Sequence, residues 1–147
     1  MEKDKLRLLN EINRAIIQFR GNYSAWARAQ GIGYNEMLVM YSIRERGYCT
    51  QKQICDQYLL PRQTINHVIS ALRRQEILQE RTDLAPGREK AFVLTEKGEG
   101  YMGPFLASMN DMETRAIALM GPERLAELTE LMGKYSRALQ KAMEETR

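Results

Sequence analysis

Apolar residues recur through the first 29 positions at steps of three and four: Leu9, Ile12, Ile16, Phe19, Tyr23 and Trp26. That spacing lays one stripe along a long helix. The glycines of Gly31-Ile32-Gly33 end it. A second helix is predicted over 34–46, with Met37, Leu38, Met40 and Tyr41 facing inward and Gly47 as its stop. Thr50 is placed to cap a short helix over 51–58, because its side-chain oxygen can accept from an otherwise unpaired backbone N–H. Leu59 and Leu60 make the turn that follows.

Pro61 stands where proline is best tolerated, in the first turn of a helix that runs to about Gln75. Ile65, Val68, Ile69 and Leu72 form its apolar stripe, while Arg62, Gln63, Asn66, His67, Ser70 and Arg73 occupy the other surface. Extended stretches over 77–81 and 89–94 flank a polar segment, 82–88, containing Asp83, Pro86 and Gly87; this predicts a β-hairpin with a long tip. Thr95 caps a further helix. Gly103 and Pro104 predict a late start or a kink in it. Gly121-Pro122 then opens a last helix over 122–145, where Leu125, Leu128, Met132, Tyr135, Leu139 and Ala142 form a near-heptad seam.

A short helix, a tight turn and a helix with a polar outer face make a helix-turn-helix, and the hairpin behind it makes a winged version. The expected fold class is mainly α with a small β-hairpin wing, in one domain over 1–147. Residues 34–97 form the winged lobe, and 1–30 with 104–147 form flanking helices. The two long seams, 9–26 and 125–142, could bury each other within one chain. A domain this small has little core to spare for both, so a homodimer through Leu9, Ile12, Ile16, Leu125, Leu128, Met132, Tyr135 and Leu139 is the favoured expectation.

Composition narrows the function. The 147 residues are 44% hydrophobic and 28% charged, as in a soluble globular protein. No run approaches the about 20 apolar residues of a membrane span, so no membrane partner is expected. The charged N-terminus lacks the apolar core of a secretory signal, and the expected address is cytoplasmic. Two cysteines and one histidine exclude a disulfide framework and supply poor material for zinc; no metal or cofactor is implied. Cys49, expected in a loop, and Cys55 read as packing residues; redox sensing would require exposure and a lowered pKa. No zincin, Walker, Rossmann or nucleophile-elbow motif occurs, and a single histidine hardly allows a nucleophile–base pair, so an enzyme is not expected.

Charge distribution is more telling than the net charge of +3. Residues 1–97 carry 16 Lys/Arg against 11 Asp/Glu, while 98–147 carry 6 against 8. The predicted 61–75 helix holds no acid between Gln63 and Gln75, whereas an ordinary solvated face mixes signs. In a major groove, Arg62 can present its fork to guanine, and Gln63 and Asn66 can pair bidentately with adenine. Thr64, His67, Ser70 and Arg73 can reach bases or phosphates. Thr50 and Gln51 at the start of the short helix complete this candidate surface. On the wing, Arg88 and Lys90 suit phosphate or the minor groove, although Glu89 opposes them and Arg88 could instead pair with Asp83. Tyr23, Trp26, Tyr34, Met37, Met40 and Tyr41 read first as core, and second as an adaptable apolar pocket for a small aromatic effector.

Three stretches, PRQTINHVISALRRQEIL, GREKAFVLTEKG and GPERLAELTELMGKY, in this order and spacing, resemble the MarR family of winged helix-turn-helix regulators over essentially the whole chain. The resemblance implies a homodimer on palindromic double-stranded DNA, with the 61–75 helix in the major groove and 82–90 over the minor groove. It further implies an aromatic or phenolic effector that releases DNA, and repression as the mode of regulation. Departures are the wing sequence Ala85-Pro86-Gly87-Arg88, which lacks an acid before its glycine, with Asp83 as the substitute, and Glu76 where glycine is frequent. The reactive cysteine that peroxide-sensing members place near the start of the first helix is also missing. A protein-interaction module without sequence-specific DNA binding is the alternative reading.

Overall fold

The computed structural model describes residues 1–84 and 87–147. Nine elements follow one another: α1 (Glu2–Ala29), α2 (Tyr34–Arg46), β1 (Cys49–Thr50), α3 (Gln51–Tyr58), α4 (Arg62–Arg74), β2 (Leu78–Arg81), β3 (Ala91–Leu94), α5 (Glu96–Met120) and α6 (Pro122–Glu145). The helices stand where the 3.6-residue periodicity put them. The chain forms two compact units, Met1–Leu106 and Ala107–Arg147, with the boundary inside α5.

In the first unit, α2 is the central rod. Met37, Leu38, Val39, Met40, Ser42 and Ile43 are all buried, so apolar contact surrounds the helix where the sequence suggested one stripe. Ser42 fits this setting because its hydroxyl donates to the Leu38 carbonyl at 3.0 Å, leaving no orphaned polar atom. Gly47, at φ 80°, closes the helix in the left-handed region. Against α2 pack α3 and α4, whose buried residues are Ile54, Ile65, Ile69 and Leu72.

The wing is a three-stranded antiparallel sheet in the order β1-β3-β2. Cys49 pairs with Phe92 and Thr50 with Ala91 on one edge; Leu78 through Arg81 pair with Leu94 back to Ala91 on the other. Cys49 therefore lies in a strand and not in a loop: two residues are too short to show a period of two. Likewise β3 begins at Ala91, so Glu89 and Lys90 precede the strand. Pro61 is the N-cap of α4, with φ −60° and ψ 141°, and not part of its first turn.

A compact joint links α4, the sheet and α5. The Thr95 N–H donates to the Ile77 carbonyl at 3.1 Å, its hydroxyl donates to the Glu76 carbonyl, and its oxygen accepts from the Gly98 N–H at 2.9 Å. Glu76 adopts φ 61°, the left-handed conformation that explains why glycine would suit this position. Helix α5 starts at Glu96 without delay and runs through Pro104. A proline inside a helix costs about 3 kcal/mol. Met102 and Phe105, buried on either side of it, contribute about 1.5–3 kcal/mol each and offset that cost.

In the second unit, α6 buries no residue at all. Leu128, Met132, Tyr135 and Leu139 are each at least 40% exposed, and the near-heptad seam lies open in the single chain. On α1, Ile12 is exposed and Leu9 and Ile16 are half-buried. Among the described residues, no helix is long and apolar enough to cross a membrane.

A Cβ at Gly98 would stand 2.1 Å from the Ile77 carbonyl oxygen, a backbone atom that cannot step aside. Gly98→Ala is expected to destabilise the fold by about 1–3 kcal/mol, read as a lower urea midpoint at unchanged slope. An unchanged midpoint would show that the joint is looser than its geometry indicates.

Candidate nucleic-acid interface

Helix α4 is offered to solvent by the turn before it. Thr50 and Gln53 form a reciprocal capping box at α3: each side chain bonds the other's backbone N–H at 3.1 Å. Leu59 then takes the left-handed conformation at φ 53° and reverses the chain. From α3, the Gln51 amide donates to the Arg62 carbonyl at 2.8 Å, tying the first residue of α4 to the preceding helix.

With Ile65, Ile69 and Leu72 buried, Arg62, Gln63, Asn66 and His67 emerge on the exposed face, and Thr64 and Ser70 are half-buried at its margins. No acidic residue interrupts α4. These six polar residues lie within the first three turns, the part of a reading helix that meets base edges.

Other predicted contacts stand differently. Thr50 is buried and committed to the capping box, so its side chain is not on the surface. Gln51 is half-buried, and its amide is spent on the α3–α4 bond. The Arg73 guanidinium lies 5.4 Å from the Phe92 ring centroid and 3.6 Å from Glu80. It braces α4 on the sheet while 45% of its side chain stays exposed. Arg62 faces Glu89 at 3.4 Å.

The ion pair within the wing is Arg81–Asp83, with two bonds at 2.8 and 2.7 Å. Asp83 thus serves Arg81 and not Arg88. Arg88 and Lys90 are exposed and pair with no acid among the described residues. The tip positions Ala85 and Pro86 lie outside the described residues. The sequence placed Arg81 at the end of the first extended stretch but held no signal for its fork-on-carboxylate geometry, which needs the strand to end between the two residues.

Met40 is completely buried and Met37 nearly so; both are packing residues, not the wall of an open pocket. Tyr23, Trp26, Tyr34 and Tyr41 are half-buried. Trp26 rests on Phe105 at 5.1 Å between ring centroids, Tyr23 meets Phe19 edge-on at 5.4 Å, and the Arg44 guanidinium covers the Tyr41 ring at 4.6 Å. A contact that sequence reading missed joins α5 to the start of α2: the Tyr101 hydroxyl donates to Glu36 at 2.9 Å. Burial and that acceptor push the Tyr101 hydroxyl up to about 12.

Burial likewise pushes the Cys49 thiol up to about 12. Cys55 is half-buried, and its thiol is raised by the same cause, partly opposed by the charge of Arg62. Neither is a thiolate poised for chemistry near neutral pH.

A family described as a winged helix DNA-binding domain matches residues 32–98, which span α2 to the start of α5. Among curated proteins, no sequence relative matches the chain. The fold is shared with solved structures over nearly the full length. NMB1585, a MarR family regulator from Neisseria meningitidis, is 24% identical, with 95% of this chain and 99% of that one covered at a TM-score of 0.84. The transcriptional regulator PA4135 is 25% identical, with 90% and 95% covered at 0.62. NadR, solved in complex with 4-hydroxyphenylacetate, is 16% identical, with 84% and 91% covered at 0.70.

Two measurements check this geometry. The Arg81 guanidinium, bonded to the Asp83 carboxylate, holds that carboxyl down at about 2. A depressed acid contributes its stabilisation fully above the ordinary value of 3.8 and loses it as pH falls toward 2. Carboxyl NMR is expected to follow Asp83 titrating at the low value, and to see it return to the ordinary range in Arg81→Ala; no difference between the two proteins would dissolve the pair. A thiol reagent at pH 8 is expected to label Cys55 in the folded protein and Cys49 only on unfolding; equal labelling would place Cys49 outside the core.

Residues 32–98 are thus similar to a winged helix DNA-binding domain, and the chain as a whole has the fold of solved MarR family regulators.

Proposed function

We propose that the protein is a transcriptional repressor that reads double-stranded DNA as a homodimer. The carrying observation is the outer face of α4, where Arg62, Gln63, Asn66 and His67 are exposed together without an acid among them. An arginine fork suits guanine and carboxamides suit adenine, so this face can discriminate bases as well as hold phosphate. Arg88 and Lys90 on the wing supply backbone contacts.

The open apolar seam of α6 supports self-association, because a monomer would leave Leu128, Met132, Tyr135 and Leu139 in water. Ile12 and the half-buried Leu9 and Ile16 of α1 are the other residues proposed to meet a second copy. A two-fold dimer reads an inverted repeat whose half-sites lie about one helical turn, roughly 34–36 Å, apart. A small aromatic acid is the proposed effector. The half-buried Tyr23, Trp26 and Tyr41 supply aromatic surface, and NadR of the same fold is solved with 4-hydroxyphenylacetate.

Selection from genomic fragments at two salt concentrations tests this reading. An enriched inverted repeat is the expected outcome, with affinity falling steeply as salt rises. Absence of enrichment at both salts, with and without aromatic acids, would leave a protein-interaction module as the better reading. Arg62→Ala is expected to weaken the selected site by about 1–3 kcal/mol relative to random DNA; an equal loss on both would make Arg62 a phosphate contact only. Leu128→Asp with Leu139→Asp is expected to yield monomers in sedimentation, since the pair would bury charge in the seam.

A further inference from the structure

We propose that Glu89 is a positioning residue for base reading: its carboxylate holds the Arg62 fork at the start of α4 and so sets which base Arg62 prefers. The inference rests on the DNA-reading function proposed above. Arg62 Nη2 stands 3.4 Å from Glu89 Oε1, across 27 residues of sequence. The Arg62 side chain is 68% exposed and that of Glu89 only 31%. The acid is thus the more sheltered partner and the cation the one that reaches outward. Glu89 lies two residues before β3, whose register with β2 is set from Ala91 onward. The other end of Arg62 is fixed too, by the Gln51 amide on its carbonyl.

An arginine held at both ends differs from a free one in two ways. A guanidinium has five N–H donors, and one spent on Glu89 leaves others for the two acceptors on the major-groove edge of guanine. The carboxylate beside it also repels phosphate, so the fork does not simply settle on the nearest backbone oxygen. Lys52, which feels the charges of both Arg62 and Glu89, is already paired with Asp56 at 2.6 Å and does not replace Arg62 as the partner of Glu89. Arg73, at the far end of α4, is held by Phe92 and Glu80 and braces the helix; among the described residues Arg62 rests on no ring, and it keeps its reach.

A plain surface ion pair would act otherwise. Removing its acid would raise affinity for all DNA alike, because one repulsive charge is lost, and would leave base preference untouched. The decisive comparison is therefore the base preference of four proteins on randomised double-stranded DNA: the wild type, Glu89→Gln, Arg62→Ala and the double variant. Glu89→Gln is expected to lower the preference at the Arg62-dependent position by about tenfold, while affinity for random DNA holds or rises. In the Arg62→Ala background the same change is expected to have no further effect on that preference. Glu89→Asp, which keeps the charge at a shorter reach, is expected to retain part of it. A wild-type motif that persists unchanged in Glu89→Gln overturns this inference and leaves the DNA-reading function standing. So does an effect of Glu89→Gln that is equally large without Arg62. A wild type with no base preference removes the function and the inference together.

Discussion

The Ile77 carbonyl is the point on which the winged lobe depends. It accepts the Thr95 N–H, lies against Gly98 too closely for any side chain, and follows directly on the left-handed turn at Glu76. Three elements meet there: the end of α4, the sheet that carries the wing, and the first turn of α5. A short chain can hold a helix and a hairpin in a fixed mutual geometry only if their junction is over-determined. Here backbone hydrogen bonds, a side-chain cap and a missing Cβ act on the same few atoms. The left-handed residue that this joint requires costs about 1–2 kcal/mol when it is not glycine, and the surrounding bonds sustain it.

From that joint outward, the polar residues divide into those that hold the lobe together and those left available. Arg73 lies over Phe92, Arg81 is closed on Asp83, and Gln51 and Thr50 are absorbed by the α3–α4 connection. Each is a residue type that could contact nucleic acid, and each is held by protein partners. Gln63, Asn66 and His67 on α4 and Arg88 and Lys90 on the wing remain on the exposed surface. Arg62 belongs to both groups, exposed yet tethered to Glu89. Exposed ion pairs contribute little to stability, typically below about 1 kcal/mol. Their larger effect in such a lobe is geometric, fixing where a long side chain points.

The two units differ in how they satisfy their apolar residues. The first surrounds α2 and leaves few large side chains of α2–α4 in water, Leu59 in the turn being an exception, while its α1 exposes Leu6, Leu8, Ile12, Ile17 and Phe19. The second exposes Leu128, Leu131, Met132, Tyr135, Leu139 and Met143 along one helix.

Much of this was legible in the sequence. Six helices, their stops at Gly31, Gly47 and Gly121, the cap at Thr50 and the acid-free face of α4 all follow from spacings of three and four residues and from the backbone preferences of a few residue types. These are local constraints, and local constraints are written locally. The strand at Cys49–Thr50, the continuity of α5 through Pro104, and the commitment of Arg73 and Arg81 to internal partners were not legible. A two-residue strand exists only because β3 lies beside it, and a proline inside a helix is tolerated where burial of neighbours such as Met102 and Phe105 offsets its cost. Sequence by itself determined the elements and the chemistry of the outer face of α4, because periodicity and turn residues act over a few positions. Tertiary structure alone decided which charged side chains reach solvent, because each pairing is made between residues that the chain brings together only when folded.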